Sequence, residues 1–531
     1  MPGRLAVDFG TSNTVVALWD ETLQQGVPLH IPEFGSIQQQ GDETISVIPS
    51  LIHYAPSNLT WIGSQVIQRG LSQSPRTFRW MKRYISHRSP NKVRLDGREI
   101  TPYIAGQDFL TSVLVFAGQE AGIRDEEVAF SVPVEAFEHY ENWLAQVAGA
   151  AGMPRFRLID EPSAAALGYG AHIQPGKVYL LFDFGGGTMH AAVVLIESEE
   201  NAAGGRRCRV LGKAGRDIGG TALDQWLFQE VLRQNHRSDA DEAVRRISTT
   251  LLVECERVKE KLSFDEQADL SVVNPETGTV LAADFTRASF EDLLDRHDLF
   301  TDINQTIRSA INAATERGYD EDSIQAVLMV GGSSQIPSVQ RTLRQVFGRE
   351  RVMVNRPLDA VARGAAAFVA GVDFYDHIQH DYAIRYVDPD RGVYDYRTIV
   401  QRGTPYPTRK PVVNLTIKAS HDDQQDLGLA IYELGEQHQR AGNSQPVELV
   451  FDPSGAARIT RITPHDQERR AMFWMNEQRP TFLHADPPAQ RGEPRFNVEF
   501  YIDENKRLTI TARDLKTGRL THQDYPVIKL T

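Results

Sequence analysis

Cysteine is nearly missing from this chain: Cys208 and Cys255 are the only two in 531 residues. Two thiols cannot build a disulfide framework, and no His/Cys grouping has metal-ligand spacing, which excludes the disulfide-rich and zinc-stapled classes. Free thiols fit a reducing compartment. No stretch approaches the ~18 apolar residues of a membrane span. The first residues lack the basic start and apolar core of a signal peptide, so the expectation is a cytoplasmic protein. Positive charge is also in deficit. A formal net charge of −13 argues against a nucleic-acid or anionic-membrane surface as the main partner. What remains is ordinary for globular protein: 41% apolar and 24% charged, with length for about three or four domains.

Two short stretches organise the chain, Leu5-Ala-Val-Asp-Phe-Gly-Thr-Ser-Asn13 and Tyr179-Leu-Leu-Phe-Asp-Phe-Gly-Gly-Gly-Thr188. Each is an apolar strand run ending in Asp-Phe-Gly, then a small-residue turn, then a second apolar run (Thr14 to Trp19, Ala191 to Ile196). Glycines let the backbone approach a phosphate closely, and successive N–H groups in such turns can converge on an anion. The acid before each turn, Asp8 or Asp183, is placed to face a hydrated Mg²⁺ carried by that phosphate. Glycine hairpin turns are also common for conformational reasons alone. Two copies 175 positions apart point to a duplicated lobe with a nucleotide between the halves.

From residue 1 to about 376 strands and helices alternate, the mark of an α/β domain. Helix signals are strongest near 105–122, 135–152, 222–235, 240–262, 287–317 and 338–347. Thr77 to Ile85 places Lys82 and Arg83 in an amphipathic stretch, where a lysine is ordinarily a solvated charge. The run Val128 to Pro133 is an apolar strand closed by proline. Phe156 to Ala166 delivers Asp160 and Glu161 to a turn, with Pro162 expected at the first helical position. Glu161 either complements a helix N-terminus or points into a cleft and orients water. Gly215 to Asp224, containing Gly219 and Gly220, is another glycine turn feeding a helix. Within 249–262, Leu251, Leu252, Cys255, Val258 and Leu262 form an apolar stripe. Glu256, Lys259 and Ser263 share the polar side, either solvated or facing a ligand. Ala326 to Val330 is a buried strand, and Gly331-Gly-Ser-Ser-Gln-Ile-Pro337 can seat a nucleoside or phosphate against a helix N-terminus. Leu358 to Ala370 is a small-residue helix suited to close helix–helix approach.

Near residue 376 the helix signals fade. Short alternating runs at Tyr382–Val387, Arg397–Gln401, Val412–Lys418, Leu427–Leu434, Val447–Phe451, Phe496–Ile502 and Arg507–Ala512 give the pattern of an all-β sandwich or barrel. The stretches 435–446 and 486–494, rich in Gln, Gly, Pro and Arg, are expected as loops. Leu427, Leu429 and Ile431 either line an apolar groove or face the core. The expected division is residues 1–376, a nucleotide-binding domain, and residues 377–531, a β domain.

These motifs together resemble the Hsp70 chaperone family of the actin-like ATPase superfamily. Asp8-Phe-Gly-Thr-Ser-Asn13 is similar to its first phosphate loop and Asp183-Phe-Gly-Gly-Gly-Thr188 to its second. Ile159 to Ala166 is similar to the connecting segment, Val330 to Pro337 to the adenosine motif, and Cys255 to Ser263 to the helix holding ribose and adenine. Val400 to Thr408 and Asp486 to Asp503 resemble the β-sandwich that binds extended peptides, which actin, bacterial actin-like filament proteins and sugar kinases lack.

The resemblance implies a two-lobed actin-like ATPase domain followed by an all-β sandwich. It implies ATP/ADP and Mg²⁺ as cofactors and an unfolded or extended polypeptide as partner, with a J-domain co-chaperone and a nucleotide-exchange factor. Asp8 and Asp183 would hold the hydrated Mg²⁺. Gly10, Thr11, Ser12, Asn13, Gly185, Gly186, Gly187 and Thr188 would line the phosphates. Lys82 aligns with the lysine that positions the attacking water, and Glu161 with the acid that orients water or a Mg²⁺ ligand. Gly219, Gly220, Glu256, Lys259, Ser263, Gly331, Gly332, Ser333 and Gln335 would contact the rest of the nucleotide. Catalysis of this kind is positioning plus electrostatics.

Departures from the family pattern carry their own implications. Met189 and His190 stand where Phe-Asp is usual, so hydrolysis is expected to be slower or differently pH-dependent. Gln335 replaces an adenine-stacking arginine and Glu260 stands at its usual partner position, leaving guanine as an alternative base. Pro133 is kept, but Glu141 replaces an arginine, and Tyr375 to His380 lacks the run of leucines in the family linker. The sequence stops at Thr531, and the expectation is a β domain without a helical lid and with fast client release. The leading expectation is an ATP-hydrolysing chaperone. The alternative is a nucleotide-dependent regulatory or interaction protein with weak or no hydrolysis. A small-molecule kinase is disfavoured by the tail.

Overall fold

A computed structural model describes residues 3–40, 43–123, 126–133, 138–170, 174, 176–196, 208–371, 374–375, 378, 380–387, 394–404, 406–434, 447–451, 457–461, 472–477, 480–503 and 506–530. The chain divides into two compact units. One comprises Met1–Val134, Glu141–Tyr375 and Gln445–Arg461, the other Glu135–Tyr140, Asp376–Ser444 and Ile462–Thr531.

The first unit is mixed α/β and holds two large sheets of matching order. One runs Phe156–Asp160, Val128–Val132, Leu5–Phe9, Asn13–Asp20, Glu43–Pro49, Ser36–Gln40, with Gln25–Pro28 also paired to Asn13–Asp20. The other runs Val352–Met353, Ile324–Val330, Val178–Phe184, Met189–Ile196, Cys208–Arg216, Phe374–Tyr375. In each, the strand that carries the Asp-Phe motif has a parallel neighbour on one side and its own antiparallel hairpin partner on the other. Val178–Phe184 is buried along its whole length, as expected of a central strand covered on both faces. Helices Glu161–Tyr169 and Ala360–Val369 contribute Ala164, Ala165, Ala362 and Ala365 to an apolar cluster with Ala6, Val15, Leu181 and Val194.

Those two helices touch backbone to backbone. A Cβ on Gly364 would lie 1.7 Å from the Ala164 carbonyl oxygen, and one on Gly168 would lie 1.8 Å from that of Ala360. Only glycine fits such a crossing.

After Tyr375 the described residues form strands and no helix. Two four-stranded antiparallel sheets, Tyr394–Val400/Asp381–Val387/Ile431–Leu434/Met472–Trp474 and Val413–Lys418/Pro494–Ile502/Arg507–Asp514/Leu520–Lys529, contribute to one apolar core. Leu427, Leu429 and Ile431 are buried in that core, so they line no groove.

Several local expectations shift. The helix expected over 287–317 is two, Arg287–Arg296 and Leu299–Thr315, because Asp298 adopts a left-handed φ of 59°. That over 240–262 is likewise two, Glu242–Arg245 and Ser248–Phe264. Glu161 rather than Pro162 is the first helical residue, with Asp160 as N-cap accepting from Ser163 N at 2.9 Å. The 486–494 stretch is not all loop: the strand Thr481–Ala489 runs into it. Its partner strand skips register between Gln424 and Asp426, which leaves Pro487 and Pro488 at a break where a missing N–H costs nothing. The stretch 435–446 lies outside the described residues.

Candidate functional site

The two glycine turns lie against each other. A Cβ on Gly186 would be 2.8 Å from Ser12 Oγ, and one on Gly187 would be 2.6 Å from Thr11 Oγ1. Each turn is braced by a serine from elsewhere. Ser50 Oγ donates to the Gly10 carbonyl at 2.8 Å and Ser50 N to that of Ser12 at 2.8 Å. Ser333 Oγ donates to the Gly185 carbonyl at 2.9 Å. The second turn is further fixed by Gly220 N to Gly185 O (3.0 Å), Thr221 N to Gly186 O (2.7 Å) and Gly185 N to Thr188 O (3.0 Å). These bonds occupy carbonyls. Among the described residues the main-chain N–H groups of Thr11, Ser12, Gly186, Gly187 and Thr188 have no partner. Unclaimed donors on facing turns are what an anion needs.

Beside the turns sits a cluster of opposed charges. Lys82, on the short helix Met81–Ser86, is buried and donates to Glu161 Oε1. Trp80, immediately before that helix, adopts a left-handed φ of 55°, an uncommon conformation for a bulky residue. Ser131 Oγ donates to Asp8 Oδ1 at 2.6 Å. Burial raises the Asp8 carboxyl to about 6, Lys82 and Ser131 pulling down and Glu161 pushing up. Burial, then Glu161 and Asp8, hold Asp183 well above the usual carboxylate range. Three acids against one ammonium leave negative charge uncompensated, the condition that a divalent cation relieves. His190 stands directly across from Asp183 in the antiparallel register. Burial lowers its ring to about 4, which keeps the imidazole neutral. Its Nδ1 is 4.0 Å from Glu161 Oε2 and has no hydrogen-bond partner. Glu161, Asp183 and His190 each offer one ligand atom, all within 4.8 Å of one another. An orphaned ring nitrogen between carboxylates fits a cation.

The remaining expected residues divide. Lys259 is buried, pairs with Asp224 at 2.8 Å and donates to the Gly220 carbonyl at 3.3 Å. Burial lifts the Asp224 carboxyl to about 7 against the pull of Lys259. A Cβ on Gly220 would be 3.0 Å from Lys259 Nζ and 2.9 Å from Ser333 Oγ, and one on Gly219 would be 2.6 Å from Thr188 N. Gly331, at φ 83°, leaves room for only a hydrogen 2.6 Å from Asp183 Oδ1. Lys259, Ser333, Gly219, Gly220 and Gly331 therefore join the second turn. Glu256 instead reaches Arg79 at 3.4 Å. Ser263 donates to its own helix at Lys259 O, 3.3 Å away. Asn13 opens the second strand and pairs with Pro49. Gly332 is exposed and Gln335 half-buried in the turn that follows Gly331.

A family model described as Hsp70 protein matches residues 5–446. This chain belongs to the Hsp70 family. Members of that family are ATPases of the chaperone type; they bind ATP or ADP with Mg²⁺ and engage unfolded polypeptides and co-chaperones. Among the described residues of this Hsp70 protein, no helix is long and apolar enough to cross a membrane.

Four contributors to this region of the Hsp70 protein had not been expected. Ser131 supports Asp8, Ser50 braces the first turn, Arg79 meets Glu256, and Asp224 anchors Lys259. Ser131 had a signal, as the single hydroxyl in the otherwise apolar strand Val128–Val132. A buried hydroxyl needs a partner. Asp224 had one too, being an acid inside a run of buried helix positions. Arg79 and Ser50 had none, because nothing local distinguishes them from surface residues.

Proposed function

We propose that the chain is an ATP-hydrolysing chaperone. In this reading a two-lobed ATPase domain spans residues 1–376 and a β-sandwich spanning 377–531 holds extended polypeptide segments. The observation that carries it is the meeting of Thr11-Ser12 with Gly186-Gly187 beside the Lys82–Glu161 pair. The N–H groups of both turns grip the phosphates. Asp8 and Asp183 would hold the hydrated cation, and Mg²⁺ when bound would supply positive charge against the phosphate oxygens. Lys82 steadies developing charge at the terminal phosphate and orients the attacking water, held in place by Glu161. Lys259 and Ser333, already tied to the second turn, lie on the side where the nucleoside is carried. Partners on this reading include a J-domain co-chaperone and a nucleotide-exchange factor.

Replacing Lys82 by Ala should lower steady-state ATP turnover by at least ~10²-fold while nucleotide binding stays measurable by calorimetry. Normal turnover in Lys82→Ala would remove this lysine from the mechanism. The neutral His190 across from Asp183 favours a second reading, a nucleotide-dependent regulatory protein with little hydrolysis. Single-turnover ATPase with and without an extended apolar peptide separates the two. Stimulation supports the chaperone, and tight binding with negligible turnover supports the regulator.

A further inference from the structure

We propose that Glu161, Asp183 and His190 form a direct, mixed oxygen–nitrogen site that takes a first-row transition dication such as Mn²⁺ in preference to Mg²⁺. This set differs from the water-bridged Asp8–Asp183 arrangement, because it puts a ring nitrogen in the coordination sphere. It needs no nucleotide, so it stands or falls separately from the ATPase reading.

The hairpin register places His190 opposite Asp183, and residues so paired project from the same face of a sheet. Glu161 approaches from the start of a helix, with Asp160 as its N-cap. The two oxygens of Glu161 are split between tasks: Lys82 takes Oε1, while Oε2 lies 4.0 Å from His190 Nδ1. One ligand atom from each residue falls within 4.8 Å of the others. Ligands held about 2.1 Å from one ion lie about 3 to 4 Å apart, so the atoms need to close by at most about 1 to 2 Å, within reach of side-chain rotation, to complete the set.

The second observation is the ring itself. His190 is 1% exposed and its Nδ1 has no hydrogen-bond partner. A buried polar atom left unsatisfied is costly, and an ion on that lone pair with the proton on Nε2 would remove the cost. Around it stand Lys82, Asp8, Lys213 and Asp217, so a cation enters a field already containing two ammonium groups and two carboxylates besides the proposed ligands. Mg²⁺ wants oxygen ligands and gives up water reluctantly. Imidazole donors shift preference toward transition ions.

The test uses the full chain, stripped with chelator and without nucleotide, titrated with Mn²⁺ alone. The expected result is a bound Mn²⁺ whose pulsed EPR shows ¹⁴N coupling that changes to ¹⁵N on labelling histidine. His190→Gln should abolish the coupling and weaken Mn²⁺ by ~10-fold or more, the range for removing a group that tunes a metal site. His190→Asp should keep Mn²⁺ and let Mg²⁺ displace it at ~10-fold lower concentration than in wild type. Bound Mn²⁺ without nitrogen coupling in the wild type overturns the proposal, as does failure of Mn²⁺ to bind up to millimolar concentration. Neither outcome depends on a variant that folds. Equal Mg²⁺ competition in wild type and a folded His190→Asp would overturn the selectivity.

Discussion

Asp8 and Asp183 occupy matching places in two hairpins of the same build, yet Val15 stands across from the first and His190 across from the second. The frames agree in detail. Each acid lies on a strand with a parallel neighbour, and each following glycine has its carbonyl capped by a distant serine hydroxyl, Ser50 at 2.8 Å and Ser333 at 2.9 Å. The surroundings of the carboxylates do not agree. Asp8 has Ser131 to lean on, while Asp183 faces a ring whose Nδ1 has no hydrogen-bond partner. Backbone pairing sets where a carboxylate stands, and one cross-strand side chain sets what it can hold.

The largest expected effect tests whether the two acids are equivalent in function. Asp8→Asn and Asp183→Asn should each lower ATP turnover by ~10²-fold or more, measured by phosphate release at saturating nucleotide. A loss confined to one of them would break the symmetry. Next comes the pH dependence that belongs to the second hairpin alone. The folded-state value of His190, near 4, lies below the 6.5 of a free imidazole. A neutral ring therefore favours the fold fully above about 6.5, and that advantage is lost as pH falls toward 4. It is worth up to about 3 kcal/mol. Subtracting denaturant-unfolding profiles of His190→Gln from wild type, without added metal, should isolate this slope; a flat difference between pH 6.5 and 4 would remove it.

Smaller effects concern the braces. Ser50→Ala and Ser333→Ala should cost about 1 kcal/mol each by chemical denaturation, and a threefold disparity would show that the turns are held differently. Smallest is Ser131→Ala. It should raise the Asp8 carboxyl further, since a donor to the charged form is lost, and ease Asp183 slightly down, since the Asp8 charge is one of the causes that hold it up. Carbon-13 titration of the carboxyls reads both.

Much of this was legible in the chain. The repeated Asp-Phe-Gly hairpins, the Glu161 turn and the strand–Gly-Gly–turn at Gly331 are local patterns, and the structure places all of them together. The side chains that complete the cluster are not local. Lys82 finds Glu161 across 79 positions and Asp8 finds Ser131 across 123, separations over which no periodicity carries information. The polar side of the helix Ser248–Phe264 split for the same reason: Lys259 turns to Asp224, Glu256 to Arg79. In the tail, alternation located strands such as Val413–Lys418. It missed Thr481–Ala489, whose prolines sit where the partner strand breaks register.

Helices that mesh through interlocking ridges of side chains are held to a few crossing angles. The Gly168–Gly364 crossing has no such teeth, only carbonyls against bare Cα atoms. Its spacing is set by main-chain atoms, and a single methyl on either glycine would push the two helices apart.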